Sequence, residues 1–232
     1  MAGPPAPLPS LKVPAPRATD SPPLVIVLPG RYDDLQDLQR LGIAAAIQQG
    51  WPQADVLLVG ATPPYYRDGK LAARLHDEIV VPARLRGYRR VWLAGASMGG
   101  LGALLYERAY PGDVTGLILF APYMGDSALI RHIAAAGGAA RWQPPQPAPP
   151  AATADNYPVE IWRVVHAWNR TPARAHQVWL ACGDHDDLLP AARLIAAQLP
   201  PDHFLLLDGG HAWTVWDRAA QKIAARLAAP QP

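Results

Sequence analysis

Cysteine is almost absent: one residue, Cys182, in a chain of 232. A lone thiol cannot close an intramolecular disulfide, so a disulfide framework is excluded. That suits a reducing compartment, although exported enzymes without disulfides are common. No apolar run approaches the roughly 20 residues that a membrane-spanning helix needs. The N-terminus has no basic stretch followed by an apolar one, so no intact signal peptide is expected. The expectation is a cytoplasmic protein, with a periplasmic or lipid-anchored location left open if a leader was removed. Charge is sparse as well: 17% of residues are charged and the formal net charge is +2. The basic residues are scattered, and pairs such as Arg89-Arg90 are too short for a phosphate-tracking stripe. A nucleic-acid partner is therefore not expected. Lysine is scarce beside arginine, 3 against 18, which with the abundant alanine reads as genomic base composition.

What is present is apolar surface. Half of the residues are hydrophobic, with 8 Trp and 8 Tyr, so one substantial core is expected and a disordered chain is not. Residues 1–23 hold eight prolines and no periodic pattern. They are expected as an extended tether outside the core, with one domain over 24–232.

From Leu24 onward, short apolar runs alternate with amphipathic stretches. Leu24–Leu28, Val56–Val59, Val91–Ala94, Val114–Phe120, Val178–Ala181 and Phe204–Leu207 read as buried strands. Helical spacing recurs between them, with a kink expected before Pro82 and a capping-box-like pair, Thr214 and Asp217, at the start of the last helix. The alternation breaks over 121–175, a stretch with a proline-rich segment and two short helical candidates. Strands alternating with helices imply an α/β fold, a mostly parallel sheet covered on both faces.

The third strand runs into Gly95-Ala96-Ser97-Met98-Gly99-Gly100, an intact G-x-S-x-G followed by a helical stretch. The small flanking residues allow a sharp strand-to-helix turn that projects the serine hydroxyl above the sheet edge. The helix N-terminus adds partial positive charge where an oxyanion would form. A nucleophilic serine needs a base, and the base an orienting acid. Of seven histidines, only His211 follows a buried strand in a glycine-rich loop and precedes a helix; His185 is the runner-up. Both loops reach the carboxyl rim of the sheet, where open α/β sheets bind ligands. The acid comes from Asp184-His185-Asp186-Asp187, with Asp186 first, Asp187 second and Asp184 third. A metal at this cluster is not expected, because no second ligand cluster stands at a recognisable spacing. The oxyanion donors would be the amide of Met98 and that of Arg31, with Tyr32 as alternative, in the Pro29-Gly30-Arg31-Tyr32 loop after the first strand.

These segments (VIVLPGR, VWLAGASMGGLGALLY, the D-x-L-L-P of Asp186 to Pro190, and GGHAWTVW) resemble the α/β-hydrolase superfamily over Leu24 to Leu227. More narrowly they resemble small bacterial serine carboxylesterases and lysophospholipase-like enzymes. The resemblance supports Asp186, with Gly183 three residues before it and Pro190 four after, and it supports Gly210-His211. It implies a minimal α/β-hydrolase fold: about six mostly parallel strands in the order 2-1-3-4-5-6, helices on both faces, and a short irregular cap at 121–175. Pro29 departs from the histidine that many members carry there. The implied activity is carboxylic ester hydrolysis through Ser97, His211 and Asp186, with no cofactor and no metal. Alternatives are thioester or lactone cleavage or acyl transfer on the same residues, or a non-catalytic scaffold. The substrate is expected to be a small ester with an apolar acyl or aryl group. It would lie against Gly30, Tyr32 and the cap aromatics Tyr123 and Trp162.

Overall fold

The computed structural model describes residues 4–67 and 69–229. In chain order the elements are β1 (Ser10–Val13), β2 (Leu24–Leu28), α1 (Leu35–Leu41), α2 (Ile43–Gly50) and β3 (Asp55–Val59). Then come α3 (Pro63–Arg67), α4 (Leu71–Leu75), a π-helical turn over His76–Val80, α5 (Val81–Leu85), β4 (Val91–Ala96) and α6 (Met98–Ala109). Next are β5 (Gly116–Phe120), α7 (Ser127–Ala135), α8 (Tyr157–Trp168), α9 (Pro172–Ala175) and β6 (Val178–Gly183). The chain ends through α10 (Leu189–Ala196), β7 (Phe204–Leu207) and α11 (Trp213–Ala228).

Seven strands form one sheet in the order β1-β3-β2-β4-β5-β6-β7, parallel except for β1. Every residue of β2, β4, β5 and β6 is buried, as expected of strands covered on both faces. Chain order reverses direction in the sheet at β2, which steps one way to β3 while later strands step the other way. Right-handed crossovers then put α1 and α2 on one face and the helices between β3 and β7 on the other. The last helix, α11, returns to pack on α2. Reversal leaves a crevice at the carboxyl ends of β2 and β4.

The expected fold class holds, with three corrections. The sheet has seven strands rather than six, because Ser10–Val13 pairs antiparallel with β3 from inside the presumed tether. Leu8 is 2% exposed, its N–H donates to Glu78, and the Pro5 carbonyl accepts from Tyr65 Oη at 3.1 Å. The described part of the leader is thus fastened to the body. Second, the stretch before Pro82 is not plain α-helix: a π-helical turn over His76–Val80 joins α4 to α5. Pro82 is the second residue of α5, which follows that turn without a break, so a widened turn stands just before the residue that lacks an N–H. Third, α11 begins two residues before Val215, with Ala212 at its N-cap and no side-chain cap. Asp217 forms no capping box; its Oδ1 is buried without a partner, and burial pushes its carboxyl up to about 6.

Candidate active site

Ser97 sits between β4 and α6 with φ 53° and ψ −111°. Among the described residues, only Ser97 and Ala121 have positive φ without being glycine, and both lie at the carboxyl ends of neighbouring strands. A side chain held there costs on the order of 1–3 kcal/mol and needs support. The Ser97 N–H donates to Phe120 O at 2.8 Å, and its carbonyl accepts from Tyr123 N at 3.0 Å. Gly95 and Gly99 are required by contact: a Cβ on Gly95 would overlap the Gly99 carbonyl, and one on Gly99 would overlap the carbonyls of Leu28 and Pro29. The glycine spacing therefore lets the first turn of α6 press against the ends of β2 and β4. Met98 opens α6, so its amide belongs to the set left unpaired at a helix start.

Two and three strands away from β4, the loops after β6 and β7 meet. His211 Nδ1 lies 2.8 Å from Asp186 Oδ2, and the Asp186 side chain is fully buried. The other oxygen, Oδ1, accepts the Leu188 N–H at 2.8 Å. Both carboxylate oxygens are therefore engaged, which fixes the direction of the imidazole. The ring of His211 stands edge-to-face on Trp216, with centroids 4.8 Å apart. Asp187 is exposed. Asp184 instead ties the two loops together, accepting the Gly209 N–H at 2.9 Å, and that bond holds its carboxyl below the usual range. His185, at the same tie, is largely exposed and pairs with Asp184 at 2.7 Å. Asp184, His185 and Asp208 have ligand atoms within 4.8 Å of one another, but all three are exposed and two are already spent on each other. Cys182 lies beside Asp186; burial and then that carboxylate push its thiol up to about 12, so it remains a protonated, buried side chain.

The third part is the loop after β2. Arg31 N–H donates to no main-chain group among the described residues. The loop is held from α11: Trp213 Nε1 donates to Asp33 Oδ2 at 3.0 Å, and Asp33 N–H returns to Gly30 O at 3.3 Å. Asp34 then starts α1 through a capping box with Asp37.

A cavity of about 810 Å³ opens beside Ser97, with Met98, Arg31, Tyr123 and Tyr157 on its wall. The structure brings Asp186 and His211 together and sets Ser97, Met98, Arg31 and Tyr123 on one cavity. His211 stands outside that wall, and Ser97 Oγ has no hydrogen-bond partner among the described residues. Three expected substrate contacts are corrected. Trp162 is fully buried, its Nε1 donating to Met124 O at 2.9 Å, so it pins the cap from beneath. Tyr32 is 90% exposed and lies off the cavity. Gly30 is buried under its own loop. Sequence reasoning missed Tyr66, whose hydroxyl donates to Met98 O at 3.0 Å, and the Trp213–Asp33 tether. A tryptophan two residues past His211, in Gly210-His211-Ala212-Trp213, was the visible signal for the latter.

A family model described as serine aminopeptidase, S33, matches residues 75–231. The chain belongs to that family of α/β hydrolases. The solved structures it resembles share the fold at low identity. A ferulic acid esterase is 16% identical with a TM-score of 0.61, covering 90% of this chain and 86% of that one. Est1E from Butyrivibrio proteoclasticus, with ferulic acid bound, is 16% identical with a TM-score of 0.58, covering 94% of each chain. A putative hydrolase of the alpha/beta superfamily from Xanthomonas campestris is 23% identical with a TM-score of 0.52, covering 88% of this chain and 97% of that one. No curated protein matches the chain. Among the described residues, no helix is long and apolar enough to cross a membrane.

Proposed function

We propose that the chain is a serine hydrolase of carboxylic esters in which Ser97 is the nucleophile, His211 the base and Asp186 the orienting acid. The observation that carries the reading is the His211–Asp186 hydrogen bond, made by a fully buried carboxylate on the same sheet rim as the strained Ser97. With Nδ1 committed to Asp186, the ring presents Nε2 to a hydroxyl. Substrate binding draws Ser97 Oγ to that nitrogen, since nucleophile–base contacts are often loose without substrate.

Ser97 Oγ then bonds to the ester carbonyl carbon while its proton passes to His211 Nε2. The amides of Met98 and Arg31 receive the carbonyl oxygen as it becomes an oxyanion. The bond to the alcohol oxygen breaks, and that oxygen leaves with the proton from His211. Water, giving a proton to His211, attacks the acyl-Ser97 carbonyl; the acid departs and Ser97 regains its hydrogen.

An ester is favoured over a peptide by the cavity's charge. An aminopeptidase must hold an α-ammonium group, and Arg31, Arg67 and Arg108 on the cavity wall repel one. The ferulic acid esterase name of a structural neighbour points the same way. The test is labelling with a fluorophosphonate probe, wild type against Ser97→Ala, beside turnover of p-nitrophenyl esters. Labelling and ester cleavage that both vanish in the variant support the reading. A folded wild type that neither labels nor cleaves leaves a binding scaffold in its place.

A further inference from the structure

The cavity follows one face of α6. Met98, Leu101, Leu105 and Arg108 stand three or four residues apart and so form a single stripe on its wall. Eleven residues separate Ser97 from Arg108, about 16 Å at the helical rise. The stripe is apolar until its last member, where it ends in a guanidinium.

That guanidinium belongs to a cluster with surplus charge. Arg108 Nε donates to Glu160 Oε2 at 2.7 Å and Nη2 to Pro149 O at 2.7 Å. The other Glu160 oxygen is taken by Arg163 Nε at 3.1 Å, and the Glu160 side chain is 1% exposed. Two guanidiniums thus share one buried carboxylate, leaving one positive charge, and arginine cannot shed it by losing a proton. Arg108 Nη1 has no partner among the described residues. The Arg108 side chain is 21% exposed, so water screens it only in part. Arg31 and Arg67 add positive charge on the same wall. A methyl-ended chain filling this groove would strip water from a cation and offer nothing in return. A carboxylate end would pair with it.

We infer that the groove takes an ester with one apolar arm about 16 Å long ending in a carboxylate that pairs with Arg108. This rests on the ester-hydrolase reading for the reaction, while the anion site itself does not. Arg108 touches the far end of the substrate and sets specificity; the chemistry stays at Ser97.

The test compares p-nitrophenyl half-esters of straight-chain dicarboxylic acids, from adipic to dodecanedioic, with methyl-ended acyl esters of equal length. For the wild type, kcat/KM for the charged ester should exceed that of its neutral twin about tenfold once the arm spans the groove, and not for the shortest pair. In R108Q the preference should fall to near one while short neutral esters are still cleaved; Arg163 continues to pair Glu160 in that variant. Neutral esters equal or better at every length, or a preference untouched by R108Q, would overturn the inference and leave the esterase reading standing. Should R108Q not fold, the wild-type pairs decide. Should no ester be cleaved, the esterase reading fails alone. Calorimetry with a non-cleavable long dicarboxylic monoamide then decides this one: binding to the wild type supports it, and no binding refutes it.

Discussion

Replacing Trp213 by Phe isolates the bond that joins the two halves of the site. The indole Nε1 donates to Asp33 Oδ2 at 3.0 Å, while the ring packs edge-to-face on Trp216 at 5.1 Å. Phe keeps an aromatic ring against Trp216 and removes only the donor. A hydrogen bond to a carboxylate is worth about 1.5–3 kcal/mol. Asp33 is half-buried, so water replaces part of it and a loss of about 1–1.5 kcal/mol is expected. That loss acts on the loop carrying the Arg31 amide, so the loop's competent arrangement becomes up to about tenfold less populated. Steady-state turnover of a short p-nitrophenyl ester should show kcat reduced about three- to tenfold with KM little changed, since in the proposed mechanism the amide grips the oxyanion and not the ground-state ester. Urea denaturation should report the same 1–1.5 kcal/mol. Asp33→Asn retains an acceptor oxygen and should stay within about a factor of two of wild type. A Trp213→Phe variant that loses the stability but keeps full kcat would refute the reasoning, because the tether would then support the fold without positioning the loop.

Other residues give sharper but simpler expectations. Asp186→Asn should lower kcat about 10⁴-fold in ester turnover while the fold persists, because the amide no longer holds the imidazole in one tautomer; a loss under tenfold would deny Asp186 its role. Asp217 has its carboxyl raised to about 6 by burial, so the native state favours its protonated form. Stability from this group is present below the unfolded value near 3.8 and is lost as pH rises through about 6. Asp217→Asn should therefore be the more stable protein at neutral pH, by up to about 2 kcal/mol, and flatter between pH 4 and 7 in thermal unfolding. Leu8→Ala should cost about 2 kcal/mol in urea denaturation, since Leu8 is 2% exposed; no measurable cost would return the N-terminal segment to a loose tether.

The two-sided strands were legible because burial on both faces writes itself as an unbroken apolar run, as in Leu24–Leu28 and Val178–Ala181. The seat of Ser97 follows from those runs and from the glycines around the serine, whereas the reversal of strand order came from the resemblance to α/β hydrolases. β1 was hidden for a physical reason: an edge strand tolerates proline on its flanks, and Pro9 and Pro14 bracket Ser10–Val13, so its composition resembles a linker. Three neighbouring aspartates look alike in sequence. Their fates diverge only in the fold, where Asp186 turns inward to His211, Asp184 clasps Gly209 and Asp187 faces water. Trp162 shows the limit of reading aromatics by position. Its place in the cap suggested the substrate, but α8 turns it to the core, while Arg108, an ordinary surface charge by its sequence context, reaches the cavity.

Turnover through a covalent acyl-Ser97 can be tested by trapping that species. Rapid mixing with a p-nitrophenyl ester, acid quench and mass analysis of the digested protein should find one acyl group on the peptide carrying Ser97. It should form with the nitrophenol burst, build up further in His211→Ala only if that variant is acylated at all, and be missing in Ser97→Ala. Turnover without an acyl adduct, or an adduct on another peptide, would contradict the account.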